Sequence, residues 1–187
     1  MRQKNSAYRS REYLTESEVG RLIDTAGKTG RHRHRDATLL MLAYRHGLRV
    51  SELVSLLWDQ IDLAQGLLHV SRLKHGNPSV HPLHETELNA LQILLNQQPE
   101  DRYVFISERR TPLSADAIRK MIARAGREAG LHFAVHPHML RHACGYKLAQ
   151  AGEDTRAIQD YLGHRNIQHT VRYTQLSSDR FRNFWND

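Results

Sequence analysis

The chain has a single cysteine, Cys144, among 187 residues, which excludes an intramolecular disulfide and any zinc site built on several thiolates. A reducing compartment, the cytoplasm, suits such a chain. No apolar run approaches the roughly 18 residues that a membrane span needs, and the opening MRQKNSAYRSRE lacks the apolar core of a secretory signal. No membrane partner is expected. Internal repeats, low-complexity tracts and linkers are also missing, so the length fits one buried domain. Acidic residues are the scarcer charge: 20 Asp and Glu stand against 27 Lys and Arg, a formal +7. That excess favours a polyanionic partner without separating DNA from RNA or acidic lipid. The aromatic platforms and glycine motifs of single-strand RNA binders are not apparent.

What is present reads as a mainly α domain with a small antiparallel β-sheet, an α+β class. Residues 1–12 form a basic arm with four positive side chains, and 13–187 a single domain. Thr15 and Glu18 make a capping box that opens a helix with Val19, Leu22 and Ile23 on one face, up to Gly27. The block RHRHR at 31–35 either touches phosphate or is solvated. A strongly apolar helix follows over 36–46 and stops at Gly47, after which Ser51 is positioned to cap a short helix. Arg49 projects from the turn between them. Residues 67–73 and 79–83 predict a basic β-hairpin with Lys74 at its bend, although Arg72 and His75 stand equally close to it. Leucines at 88, 91, 94 and 95 mark a helix over 85–96, and YVFIS at 103–107 predicts a third strand. Ser114 caps a helix running to about Ala129.

The stretch from His136 to Tyr173 carries the densest chemistry. Its first helix, from His138 to about Ala151, puts Leu140, Cys144 and Leu148 on a core stripe and His138, Arg141 and His142 on the neighbouring polar face. Cys144 is then an apolar filler. Asp154 or Thr155 caps a short helix ending at Leu162 and Gly163, His164 follows, and a last helix carries Tyr173. Cations, imidazoles and a phenol in one segment suit a phosphate. The histidines at 32, 34, 136, 142 and 169 do not form a recognised metal-ligand set, so neither metal nor cofactor is expected. Phe181, Phe184 and Trp185 in the tail have the spacing of a docking helix, onto this domain or a neighbour.

Taken together, GLRVSEL around Arg49, Lys74 in the hairpin, His-x-x-Arg at His138 and Arg141, LGH ending at His164, and Tyr173 resemble the tyrosine recombinase (phage integrase) family. The resemblance runs from about Tyr13 onward. Most members add an N-terminal core-binding domain, for which this sequence has no room; the chain is similar to the short recombinases that invert promoter segments controlling bacterial fimbriae. The resemblance implies a DNA strand-exchange enzyme whose catalytic residues are Arg49, Lys74, His138, Arg141, His164 and Tyr173. Tyr173 would be the nucleophile, because a phenol with a pKa near 10 forms a phosphodiester that a DNA hydroxyl can reopen. Arg49 and Arg141 would grip the nonbridging oxygens as planar forks. His138 would exchange the phenol proton, Lys74 would protonate the departing 5′-oxygen, and His164 would hydrogen-bond a nonbridging oxygen. Glu52, at the family's acidic position, would orient the basic groups without reacting. Expected partners are double-stranded DNA with inverted-repeat sites, further copies of the chain forming a tetramer, and DNA-bending architectural proteins. A type IB topoisomerase, or a DNA-binding regulator that keeps the fold without the reaction, are the alternatives.

Overall fold

The computed structural model describes residues 12–72 and 77–175. The basic arm up to residue 11, Lys74 with the rest of the hairpin bend, and the aromatic tail from residue 176 lie outside the described residues. The described chain contains α1 (Glu16–Lys28), α2 (Arg33–Arg45), α3 (Val50–Val54), β1 (Ile61–Asp62), β2 (Leu67–Val70), β3 (Ser79–Pro82), α4 (Glu85–Gln97), α5 (Ala115–Glu128), α6 (Pro137–Gln150), α7 (Thr155–Leu162) and α8 (Gln168–Gln175). The expected class, mainly α with one small antiparallel sheet, is what the chain adopts.

Local signals set most boundaries. At α1, the Glu18 carboxylate takes the Thr15 N–H at 2.8 Å and the Thr15 hydroxyl takes the Glu18 N–H at 3.4 Å, so the capping box is complete. Ser114 accepts from the Ala117 N–H at 3.1 Å. Of the two candidates for α7, Asp154 is the cap, accepting from Arg156 and Ala157 N–H groups at 2.8 and 3.1 Å. The helix closes on Gly163 at φ +63°, in the left-handed conformation that costs glycine nothing.

Two expectations fail. The third strand is β1, which pairs with β2 through Ile61 opposite Leu68, while β2 pairs with β3 from Leu67 opposite Pro82 to Val70 opposite Ser79. Residues 103–107 make only single bridges, Tyr103 to Leu57 and Ile106 to Pro112. Val104 and Phe105 are fully buried, and their backbone is satisfied by loops, with the Val104 N–H on Leu56 O at 3.0 Å and Phe105 O on the Leu113 N–H at 2.9 Å. Their apolar character reported burial, which is the same signal a strand would give. The second concerns part of the basic block: Arg31 and Arg33 are exposed, as a solvated block would be, but His34 reaches Ala90 O at 2.8 Å, and Arg35 holds the buried Asp36 at 2.7 Å and Ile106 O at 2.8 Å.

The core centres on α2, whose Leu39, Leu40 and Leu42 are fully enclosed and which packs on α1, α4 and α6. A second apolar cluster joins α6, α7 and α8 through Cys144, Tyr146, Ala149, Ile158, Leu162 and Tyr173. Cys144 is the expected filler, its thiol pushed up to about 12 by burial; Leu148, on the same stripe, is only half-buried. Between these clusters runs a buried polar chain. The Glu87 carboxylate holds His46 Nε2 at 2.8 Å and Arg45 at 3.0 Å, and His46 Nδ1 lies 3.1 Å from His81 Nδ1. The His81 ring, kept neutral with its pKa down at about 3 by burial and then by His46, stacks on Tyr161 with centroids 3.8 Å apart. This chain ties α2, α4 and α7 to β3. Glu87→Ala leaves buried His46 without its carboxylate acceptor, so unfolding in urea is expected to show a loss of about 3–5 kcal/mol.

Candidate active site

The turn after α2 is shaped by close approach. Gly47 has φ +57°, and a Cβ there would fall 2.4 Å from the Leu162 side chain of α7. The chain then enters α3 with Arg49 as its N-cap, so Ser51 lies within the helix and does not cap it. Glu52 does that work from the third helical position, accepting the Arg49 N–H at 2.8 Å, a favourable place for an acid at a helix N-terminus. The same carboxylate, 4% exposed, binds the Arg49 guanidinium at 2.8 Å and that of Arg72 at 2.9 Å. Glu52 is thus the expected anchor of the basic groups, with one partner the sequence did not identify.

Arg72 was one of three residues near the bend that could have faced DNA. Its guanidinium is instead fully buried and donates to Tyr161 O in the last turn of α7. Burial, opposed by Glu52, lowers its pKa. Arg141, on α6, donates to the next carbonyl, Leu162 O, at 2.6 Å, and to Gly47 O. Two guanidiniums therefore close the C-terminus of α7, where unpaired carbonyls and the negative end of the helix dipole favour cations. Gly163 permits this packing, since a Cβ there would meet Arg72 Cγ at 2.7 Å.

Arg49, His138 and Arg141 come together in one cleft of about 230 Å³, bordered also by Leu48, Val50, Arg119, His136 and Pro137. Arg119, exposed on α5, is a further cation there, with no motif to mark it among the many arginines. A larger groove of about 680 Å³, lined by Tyr44, His84, Lys147 and Tyr161 among others, contains none of the five expected residues that are described; size does not locate the chemistry. Glu52 pairs with Arg49 and Arg72 and reaches Arg141 only through its field, so three guanidiniums stand around one carboxylate. Burial and the two other arginines bring Arg141 down to about 9, which still leaves it charged at neutral pH. Only two of its five N–H bonds are required by the two carbonyl contacts, and a phosphate oxygen can take others.

His164 and Tyr173 are buried and do not line this cleft. His164 follows Gly163, and its Nδ1 lies 2.9 Å from the Thr170 hydroxyl. Burial, then Arg141 and Arg49, lower its pKa to about 3, so it is neutral. A neutral imidazole has one ring nitrogen that donates and one that accepts. The Tyr173 ring, 1% exposed, stacks near His164 with centroids 6.3 Å apart and lies over Gly145 of α6, where a Cβ would come within 2.6 Å of Cε2. Burial pushes the phenol up to about 12, against the pull of Arg141 and Arg172. Its hydroxyl lies 2.8 Å from Nδ1 of His142. The sequence put His142 on the polar face of α6 but gave it no role, and it is His142 that the phenol oxygen meets at hydrogen-bonding distance.

Residues 12–180 match the profile of the Phage integrase family. The chain belongs to the phage integrase family. It is 48% identical over 183 residues to the type 1 fimbriae regulatory protein FimE of Escherichia coli strain K12, covering 94% of this chain and 91% of that protein. To FimB of the same strain it is 43% identical over 188 residues, covering 97% and 94%. Among solved structures it superposes on the XerA recombinase with a TM-score of 0.80 at 29% identity, covering 94% of this chain and 64% of that one. The chain accordingly has the tyrosine recombinase catalytic-domain fold. Among its described residues no helix is long and apolar enough to cross a membrane, and no group of three or more His, Cys, Asp or Glu is arranged to hold a metal ion.

Two measurements test this geometry. Gly145→Ala should favour α6 by roughly 1 kcal/mol in propensity yet displace the Tyr173 ring. DNA cleavage is expected to fall about 10²-fold, as a misplacement of about 1 Å can produce, with the helical circular dichroism retained. Separately, His81, His164 and His142, at about 3, 3 and 4, stay neutral in the fold, whereas in the unfolded chain they protonate near their ordinary 6.5. Their depressed pKa values favour the fold above that pH and lose it stability as pH falls below. Each contributes a slope of up to about 1.4 kcal/mol per pH unit. Urea unfolding at pH 7 and pH 5 should show the loss, and equal stability would refute the assignment.

Proposed function

We propose that the protein is a site-specific recombinase that cuts and rejoins double-stranded DNA through a 3′-phosphotyrosyl intermediate, and that it inverts a promoter segment between inverted repeats to control fimbrial genes. The convergence of Arg49, Arg141 and His138 on one cleft, with Tyr173 carried against the same helix by α8, supports the chemistry. Likeness to FimE and FimB over nearly their whole length supports the fimbrial role.

In this reading the scissile phosphate enters the cleft and pairs with the forks of Arg49 and Arg141. Their charge answers the extra negative charge of the five-coordinate transition state, and because both are preorganised they need not reorient as it forms. Glu52 and Arg72 hold Arg49 in place. His138, expected to exchange the phenol proton, stands exposed at the cleft while the phenol oxygen meets His142, so in this reading His138 donates to a phosphate oxygen, as His164 does through Nε2. Tyr173 attacks phosphorus, and the phenol oxygen is later displaced by a DNA 5′-hydroxyl, so the bond energy of the backbone is kept without an external source. Lys74 protonates the leaving 5′-oxygen, a contribution of about 10²- to 10⁴-fold. With the arginines neutralising charge, the reaction needs no metal. Two sites with two strands each call for four copies of the chain, and DNA-bending architectural proteins would help bring the sites together.

A nicked duplex carrying the inverted repeat beside the gene traps the covalent intermediate on a denaturing gel. The adduct is expected to form in the presence of a chelator, to vanish in Tyr173→Phe, and to fall about 10²- to 10³-fold in Arg49→Lys or Arg141→Lys. A requirement for magnesium, or an adduct in Tyr173→Phe, would refute the reading.

A further inference from the structure

The contact between Tyr173 and the residue after Arg141 is not used by the roles above. Nδ1 of His142 lies 2.8 Å from the phenol oxygen, within the range of a direct proton transfer. The two rings are 5.8 Å apart at 57°, so the imidazole meets the hydroxyl edge-on and does not cover the aromatic face. His142 is half-buried on α6, a rigid helix, one residue from Arg141 and one turn from His138, whose ring centroid is 6.1 Å away. Few groups in the fold are so placed on both sides of the attack: a phosphate held by Arg141 and a phenol held by His142 are fixed by consecutive residues of one helix.

We propose that His142 is a catalytic residue of the strand-transfer reaction, the base that accepts the Tyr173 proton. The inference rests on Tyr173 being the nucleophile. In cleavage the Tyr173 hydroxyl proton passes to His142 Nδ1 as the phenol oxygen bonds to phosphorus. The bond from phosphorus to the 5′-oxygen breaks, and that oxygen takes a proton from Lys74. In rejoining, the 5′-hydroxyl attacks, its proton returns to Lys74, and the departing phenol oxygen recovers the proton from His142. Every proton and bond is restored over the cycle.

The charges around His142 explain why the pair rests neutral. Burial, then Arg172 from α8, His138 and Arg141 from α6, and His136 at its N-cap, bring His142 down to about 4. The phenol, at about 12, keeps its proton until DNA arrives. A phosphodiester on Arg141 offsets the cations that oppose an imidazolium, and the growing negative charge of the transition state favours one further. His142 becomes a competent base when substrate is in place, which protects the nucleophile from idle ionisation.

The test compares His142→Asn, whose side-chain oxygen can accept the phenol hydrogen bond but cannot take its proton, with His142→Phe, which can do neither. On the nicked inverted-repeat duplex that traps the wild-type adduct, both variants should form the adduct at least 10²-fold more slowly with DNA affinity retained in gel shift. The wild-type rate should rise with pH along an acidic limb that reports neutral His142, and this limb should be gone in His142→Asn while remaining in Lys74→Ala. His142→Asn cleaving at the wild-type rate, or keeping the limb, overturns the proposal. A second measurement needs no DNA: nitrogen NMR of the free protein should show His142 protonated on Nε2, with Nδ1 shifting in Tyr173→Phe. A proton on Nδ1 overturns the proposal even if no adduct is ever trapped, whereas absence of a wild-type adduct with the expected NMR result counts against the recombinase reading and so also against a catalytic His142.

Discussion

The site depends on how one short helix ends. The last carbonyls of α7, on Tyr161 and Leu162, are taken by Arg72 and Arg141, two buried guanidiniums from segments far away in sequence. Burying a guanidinium is costly unless its donors are satisfied, and a helix C-terminus supplies both acceptors and a negative potential. The closure brings the hairpin strand β2, α6 and the Gly47 turn to a common point. Gly47 and Gly163 are needed there because each takes a positive φ and each faces an atom closer than any Cβ would allow.

From that point the arrangement of charge follows. Arg72 shares Glu52 with Arg49, so the residue that closes α7 also steadies the side chain at the cleft. One carboxylate among three guanidiniums, two of them paired with it, leaves an excess of positive charge in a partly enclosed volume, and a phosphodiester is the complementary ligand. Had Glu52 been matched by two further acids the same residues would make a stable, inert ion cluster. Its isolation gives the site its sign.

The histidines divide by burial. His138 stands exposed at the cleft, whereas His164, His142 and His81 are held neutral in surroundings where burial and neighbouring cations both disfavour an imidazolium. A neutral imidazole both donates and accepts, which is what the roles proposed for His164 as a phosphate donor and His142 as a proton acceptor require. Stability and chemistry draw on the same property. Acid that would charge these rings would also loosen the contacts among α6, α7 and α8 that hold the phenol in place.

By itself the sequence was enough for the family, the α+β class and most helix boundaries, and it singled out Arg49, Glu52, Lys74, His138, Arg141, His164 and Tyr173 as candidates. These are legible because caps, turn glycines and periodic leucines act on neighbours a few residues away, and because motif order survives without coordinates. Only the tertiary structure decided that Arg72 turns inward, that His34 and Arg35 bind the protein's own groups, that Ile61–Asp62 and not 103–107 completes the sheet, and that the phenol meets His142. For three of these the deciding partner lies tens of residues away, Tyr161 for Arg72, Ile106 for Arg35 and Tyr173 itself for His142, and for Ile61 it is Leu68 on the neighbouring strand. A side chain's type announces what it can bind. Which partner it binds is a matter of packing, and packing joins residues that the sequence keeps apart.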